Sequence, residues 1–263
     1  GIKGAAIATV ISYFIGTLNV VSHFLFKNSQ LRFHAHNFRL RKDIVHSILS
    51  IGLSPFSMQI GTSLVVILIN STLLKYGGDL AIGAYGIINS VNMLVVMFII
   101  GLNQGTQPII GFNFGAGNFE RMFKTLRMGV MLACVFTLLG FIIGTFFPYQ
   151  IVKLFTSDVD LQNISARALR ISVIMFPVVG FLIVISNFFQ SIGKAKIAIF
   201  LSLTRQFLFF IPGLFILPVF WGLDGAWGVM PFSDGLASLV AAVTFLFFYR
   251  KFKQNELREQ MNG

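Results

Sequence analysis

Gly101-Leu102-Asn103-Gln104-Gly105-Thr106-Gln107-Pro108-Ile109-Ile110-Gly111-Phe112-Asn113-Phe114-Gly115-Ala116-Gly117-Asn118-Phe119-Glu120-Arg121 decides how this chain is read. An apolar run of membrane length enters the stretch from Ala81, and amides, glycines and Pro108 interrupt it before any charge appears. Hydrocarbon satisfies neither backbone nor amide groups, so such residues at membrane depth must face protein or water. The stretch is therefore the wet or protein-packed inner end of a membrane-spanning helix.

Composition widens that reading to the whole chain. Of 263 residues, 56% are hydrophobic and 11% charged, as expected of a polytopic membrane protein whose spans need about 20 apolar residues each. The net charge of +11 raises nucleic acid as a partner, but its distribution excludes it. Fifteen of the twenty Lys and Arg fall in four segments, 27–43, 120–128, 190–205 and 250–258, which alternate with connections carrying few. That is the positive-inside pattern, and it predicts an N-terminus outside and a cytoplasmic C-terminus. The start at Gly1, almost inside a span, leads us to expect the downstream part of a longer protein with no signal segment. The lone Cys134 rules out an intrachain disulfide framework.

Seven spans are expected, at about Ile2–Phe26, Ser50–Leu74, Leu80–Leu102, Met128–Phe147, Ile171–Gln190, Ile197–Phe220 and Gly225–Arg250. The fold class is all-α and polytopic. Gly4, Ala8, Ser12 and Gly16 put small residues on one face of the first span, a stripe that admits another helix closely. Residues 27–47 form a basic cytoplasmic linker. Phe38, Ile44, Val45 and Ile48 interleave with its charges, as in a helix lying along the membrane surface. His34 and His36 lack a Cys or carboxylate cluster nearby, so the linker is read as solvated and not as a metal site.

The candidate site residues are polar groups inside the spans. In the second span Met58, Gln59, Ser63 and Asn70 are singled out, and positions 59, 63 and 70 share one helical face. Asn89, Asn92 and Asn103 stripe the third, followed by Gln104 and Gln107, and Asn187 lies near the inner end of the fifth. Two amide-bearing helices in succession predict a shared polar seam. Such groups either line a cavity or bond between helices at ~0.6–2 kcal/mol per contact, and the spacing leaves both readings open. Pro108 disfavours helix at Gln107, and the glycines beyond it predict a compact turn, with Asn118 capping the next helix. Pro177 and Gly180 predict a kink in the fifth span.

Of nine acids, Asp234 alone sits well inside a hydrophobic run. An ionised carboxylate there requires a cation, a proton or water, which makes Asp234 the candidate ion-coupling group. A buried Asp held by amide donors near Pro231 is the structural alternative. Arg205, two turns into the sixth span, is read as snorkelling back to the interface, with a role in a cavity as the alternative.

Gln104-Gly105-x-Gln107-Pro108-Ile109-Ile110-Gly111-Phe112-Asn113-Phe114-Gly115-Ala116-Gly117-Asn118 resembles the signature after the eighth helix of the multidrug and toxic compound extrusion (MATE) transporters, nearest to the bacterial MepA-like branch. Tyr76-Gly77-Gly78-Asp79 and Ala84-Tyr85-Gly86-Ile87-Ile88 are similar too. The resemblance implies two six-helix lobes. Residues 1–26 would be the last helix of the first lobe, 27–47 the inter-lobe linker, 48–250 the second lobe and 251–263 a cytoplasmic tail. A weak repeat between Gly1-x-x-Gly4-Ala5 and Gly222-x-x-Gly225-Ala226 fits parallel lobes.

It also implies a bacterial plasma-membrane exporter of amphipathic, often cationic drug-like compounds, driven by H+ or Na+ with no other cofactor. The partners would be those small molecules, the lipid bilayer and the missing N-terminal lobe, without which half a cleft should not work. Some relatives hold a cation on acids of the seventh and tenth helices; the matching spans here offer Gln59, Asn70 and Asn187 but no carboxylate. A lipid or lipid-linked saccharide flippase of the same superfamily remains the alternative, as does a non-transporting membrane receptor or subunit. An enzyme is not expected, because no paired carboxylates, Ser/Lys dyad or His ligands lie within the spans.

Overall fold

The computed structural model of the chain describes residues 2–26 and 41–262, and for some residues inside those helices the backbone alone. His34, His36 and Phe38 of the linker lie outside the described residues. Every regular element described is helical: α1 (Ile2–Phe26), α2 (Lys42–Gly115), α3 (Phe119–Phe146), α4 (Pro148–Lys153), α5 (Val159–Ser172), α6 (Phe176–Ser191), α7 (Ala195–Leu203) and α8 (Ile211–Asn262). A 3-10 turn, Val173–Met175, joins α5 to α6, and a π-helical segment, Thr204–Phe210, joins α7 to α8. The chain divides into two compact units, Gly1–Leu53 and Ser54–Gly263.

In the first unit, α1 is a single 25-residue helix over the bounds expected of the first span, with its apolar stretch at Ala6–Ser22. Ile44 and Val45, expected in a surface helix, fall in the opening turn of α2.

The second unit holds four apolar helical stretches long enough to cross a membrane: Gln59–Gly115, Phe119–Phe146, Val159–Ser191 and Lys196–Gln254. The first and last, at 57 and 59 residues, are far longer than one crossing at 1.5 Å per residue. Each is folded back on itself at a glycine: Gly78 has φ 65° and ψ −161°, and Gly222 has φ 55° and ψ −131°. A side chain is strained there, so glycine lets two helices meet end to end with almost no loop. Counting the two reversals, the second unit has six long helical arms, which correspond to the six later spans expected from the sequence. At the opposite end Gly117 and Gly193 terminate α2 and α6. The N–H of Asn118 bonds Asn113 O at 2.9 Å and that of Lys194 bonds Phe189 O at 2.8 Å, each a C-terminal Schellman closure.

The structure corrects the expected end of the third span. Helix continues thirteen residues beyond Leu102, through Pro108 to Gly115. Proline removes only the one backbone donor at position 108, and the helix continues past it; Asn113 Nδ2 also donates to Ile109 O at 2.7 Å within the same stretch. Gly111 lies against the end of α6, where an added Cβ would stand 3.1 Å from Ser191 O. One face of this end of the helix, with Asn103, Ile110 and Asn113, is packed on protein. The fourth span likewise starts earlier, with Asn118 accepting from Arg121 N at 3.2 Å as N-cap and Glu120 in the first turn. The fifth is preceded by α5, capped by Asp158. The 3-10 turn Val173–Met175 interrupts the expected fifth span ahead of Pro177, which lies in the first turn of α6, while Gly180 lies within regular helix.

Two apolar clusters fill the unit. One, near the Gly78 and Gly222 turns, centres on Ile69, Leu73, Ile88, Leu169 and Trp227. The other, towards Gly117 and Gly193, centres on Ile99, Met122, Ile185, Phe188, Phe189 and Leu201. Between them the bundle has a waist.

Candidate functional site

The site occupies that waist. On α2 Asn92 falls between Ile88 of one cluster and Ile99 of the other; on α8 Asp234 falls between Met230 and Ala237; Arg205 falls between Leu201 and Phe210. Each helix turns apolar again on either side, so the polar residues are stacked at a common depth. A cavity of about 430 Å³ opens there. Its polar lining is Thr62, Tyr85, Asn89, Asn92, Ser172, Arg205, Gln206 and Asp234, and its walls are valines, Phe176, Phe210 and two methionines.

Asp234 is buried, with 7% of its side chain exposed, and its Oδ1 stands 2.6 Å from Arg205 Nε. The arginine side chain is 41% exposed. Arg205 therefore does not snorkel to the interface as expected. It turns sideways to an acid on the returning helix, because the electrostatic gain of a paired carboxylate in a poorly solvated place outweighs extension toward distant water.

Local sequence explains how the arginine is aimed. Residues 204–210 are wound as π-helix immediately before Pro212, whose ring cannot accept a normal α turn behind it. The wider turn brings Arg205 and its neighbour Gln206 to the cavity. Gln206 Nε2 donates to Thr62 Oγ1 at 2.9 Å, tying the π segment to α2. Gly61 makes the approach possible, since a Cβ there would come 2.7 Å from Gln206 Oε1. Beside Asp234, the Ser233 hydroxyl is already committed to Met230 O at 2.9 Å. Of the described residues lining the cavity, Asn92 Oδ1, Gln206 Oε1 and Asp234 Oδ1 are buried with no hydrogen-bond partner, so Arg205 meets Asp234 as an ion pair by proximity.

Of the residues singled out from sequence, the structure brings Asn89, Asn92 and Asp234 together. Gln59 and Ser63 line a separate shallow groove with Phe56, Ile60, Leu64 and Ile67. The expected seam between the second and third spans is thus built from Thr62 and not from the 59, 63, 70 stripe. The inward face of that helix is carried by Ile69 and Leu73, roughly 80° and 40° round from Gln59 at 100° per residue. Asn70 and Asn187 are half-buried, and Asn103 is buried beside the second cluster; none of the three lines the cavity. Gln104 is exposed and Gln107 half-buried, also away from it. The side chain of Met58 lies outside the described residues. Thr62, Tyr85, Arg205 and Gln206 were not singled out as site residues; the proline after an Arg-Gln pair was the available signal for the last two. Among the described residues no group of three or more His, Cys, Asp and Glu is placed to hold a metal.

Known proteins share this architecture. The MatE family model matches residues 56–216, well over half of the chain. The chain is similar to the "Multidrug export protein MepA" of Staphylococcus haemolyticus, 26% identical over 260 residues that make up 99% of this chain and 55% of the relative. A MepA of Staphylococcus aureus is 26% identical over 243 residues, 91% of this chain and 52% of that protein. Among solved structures, the MATE multidrug transporter DinF-BH superposes with a TM-score of 0.78 at 35% identity, over 95% of this chain and 55% of the other. An inward-facing MATE family transporter of the MOP superfamily gives a TM-score of 0.80 at 22% identity, over 97% and 58%. The chain spans about half the length of the curated relatives it matches.

Proposed function

Because the chain belongs to the MATE family of membrane transporters, we propose that it supplies the second six-helix lobe, with the closing helix of the first, of a secondary active multidrug exporter. Its substrates are amphipathic compounds, cationic ones foremost, moved outward by alternating access in exchange for an inward cation. The Lys and Arg distribution supports an N-terminus of this segment outside and a C-terminus in the cytoplasm. The relatives named as multidrug export proteins support the export reading.

The observation that carries the coupling half is the Arg205–Asp234 pair at the waist of the bundle. With Asp234 ionised the pair is neutral overall, and an organic cation can share the carboxylate. With a proton on Asp234 the guanidinium charge is uncompensated, and a cationic substrate is repelled from the same cavity. Proton and substrate are then alternatives for one site, which is the condition for exchange. Asn89 and Asn92 supply orienting acceptors, and the valines, Phe176 and the methionines take the apolar body.

A flippase for a lipid-linked saccharide would require several free cations for a pyrophosphate headgroup, whereas the guanidinium here is already balanced by an acid. Efflux of a fluorescent organic cation from cells expressing the intact protein tests the reading. Export should be present, and Asp234→Asn should uncouple it from an imposed gradient. Undiminished, fully coupled efflux in Asp234→Asn removes Asp234 from the mechanism.

A further inference from the structure

Resting on the coupling role of Asp234, we infer that Arg205 is a tethered counter-cation that keeps sodium off the Asp234 carboxylate and leaves the proton as the ion exchanged at this site. Arg205 Nε occupies Oδ1 at 2.6 Å, the position a bound metal cation would need. The other charged or titratable group of the cavity is Tyr85, from the arm of α2 after Gly78. The arm before Gly78 presents Thr62, Val65 and Val66, while α5 and α6 present Ser172, Phe176 and Val179. No second acid lines the cavity among the described residues, so no charge there offsets an added sodium ion.

The proton and sodium meet the same repulsion from the guanidinium but not the same requirements. At an effective dielectric of about 20, two unit charges about 4 Å apart repel strongly enough to weaken binding by on the order of a thousandfold. A proton forms a covalent bond to the free Oδ2 and needs no further ligand. Sodium must replace its hydration shell with several oxygens at once. The guanidinium stands 2.6 Å from Asp234 Oδ1, and Ser233 is not among the residues that line the cavity. Remove the guanidinium and the balance changes. Both carboxylate oxygens become available, together with Asn92 Oδ1 and Gln206 Oε1, which carry no partner among the described residues. A single unpaired carboxylate in a cavity that Asn89, Asn92 and Gln206 also line offers sodium a negative charge and amide oxygens that the paired carboxylate withholds. Arg205 is in this sense a specificity residue, acting by occupying the place of the ion it excludes.

The test is sodium binding to the purified intact protein, read as a sodium-dependent rise in unfolding temperature against choline at equal ionic strength. The unsubstituted protein and Arg205→Lys should show no rise that depends on Asp234. Arg205→Gln should gain one, about 2–4 °C when sodium is tenfold above its dissociation constant, and Arg205→Gln with Asp234→Asn should lose it. Absence of the gain in a folded Arg205→Gln overturns the inference, whatever Asp234→Asn does to transport. A gain in Arg205→Gln alongside normal coupling in Asp234→Asn instead sinks the coupling reading and leaves the ion exclusion standing. A second measurement needs no substitution at Arg205. Carbodiimide modification of Asp234 in the unsubstituted protein, followed by mass spectrometry, should fall as pH rises and be equal in sodium and choline. Protection of Asp234 by sodium overturns the inference, even where Arg205→Gln does not fold.

Discussion

Gly180 of α6 lies directly against the backbone of Ala133 in α3, so a Cβ at position 180 would stand 2.9 Å from both the carbonyl carbon and the carbonyl oxygen of Ala133. The atoms it would meet belong to a helix backbone and cannot swing aside. Lipid offers no hydrophobic drive between helices, so closeness of this kind supplies dispersion energy instead. Gly180→Ala should therefore cost about 1–3 kcal/mol, seen as a lower unfolding temperature of the detergent-purified protein. Gly105→Ala is the control, because nothing lies within 4 Å of a Cβ there. Equal effects at the two positions would mean that α3 and α6 do not meet at this contact.

The pair at the waist makes a sharper stability prediction. Removing one member of a buried ion pair leaves the other without compensation, at about 3–5 kcal/mol when both are fully buried. Arg205 is 41% exposed, so the cost of Arg205→Ala should fall to about 2–3 kcal/mol. Asp234→Leu combined with Arg205→Met should recover most of it, since an apolar pair leaves no stranded charge. A thermal-unfolding double-mutant cycle measures this coupling. Additive losses would show that the two side chains do not sense each other.

A second ion pair should behave differently. Arg167 bonds Asp224 close to the Gly222 turn, but the side chains are 72% and 39% exposed. Water screens such a pair, and Arg167→Gln or Asp224→Asn should shift stability by less than about 1 kcal/mol. A loss as large as that at Arg205 would indicate burial of this pair by something outside the unit.

The contrast between these pairs marks what could be read from sequence. Asp234 was legible because a lone acid in a hydrophobic run is costly wherever its helix packs. Its partner was not, because Arg205 lies on the preceding helix and a local π segment sets its direction. The six helical arms were legible from apolar runs punctuated by Gly78, Gly117, Gly193 and Gly222. Their ends were not, since Pro108 reads as a helix stop when its neighbours are unknown. The amide stripe at 59, 63 and 70 illustrates a different limit. Periodicity says which residues share a face; only packing says which face turns inward, and here Ile69 and Leu73 took it.

Water access distinguishes the cavity from the outer faces. With Cys134→Ala as background, Asn89→Cys and Asn92→Cys should react with a membrane-impermeant maleimide that reaches the cavity from one side, and a bound organic cation should slow them. Leu139→Cys, whose position on α3 is 50% exposed among apolar neighbours, should remain unlabelled. Labelling at Leu139 with silence at Asn92 would put lipid where the cavity is drawn and water where lipid should be.

The two glycine reversals carry the last prediction. Gly78, at φ 65° and ψ −161°, lies in a region essentially reserved for glycine, so Gly78→Ala forces strain of about 1–3 kcal/mol or opens the turn. The turns also pack on each other: a Cβ on Gly77 would come 2.9 Å from the Leu223 side chain, one residue past Gly222. Opening either hairpin therefore disturbs the seat of the other, and the paired substitutions Gly78→Ala and Gly222→Ala should cost less together than the sum of the two alone. The site lies several turns away along both helices, which separates stability from recognition. Substrate affinity measured on the surviving folded fraction should be unchanged in Gly78→Ala, and a proportionate loss of affinity would show that these turns set the geometry of the Arg205–Asp234 pair.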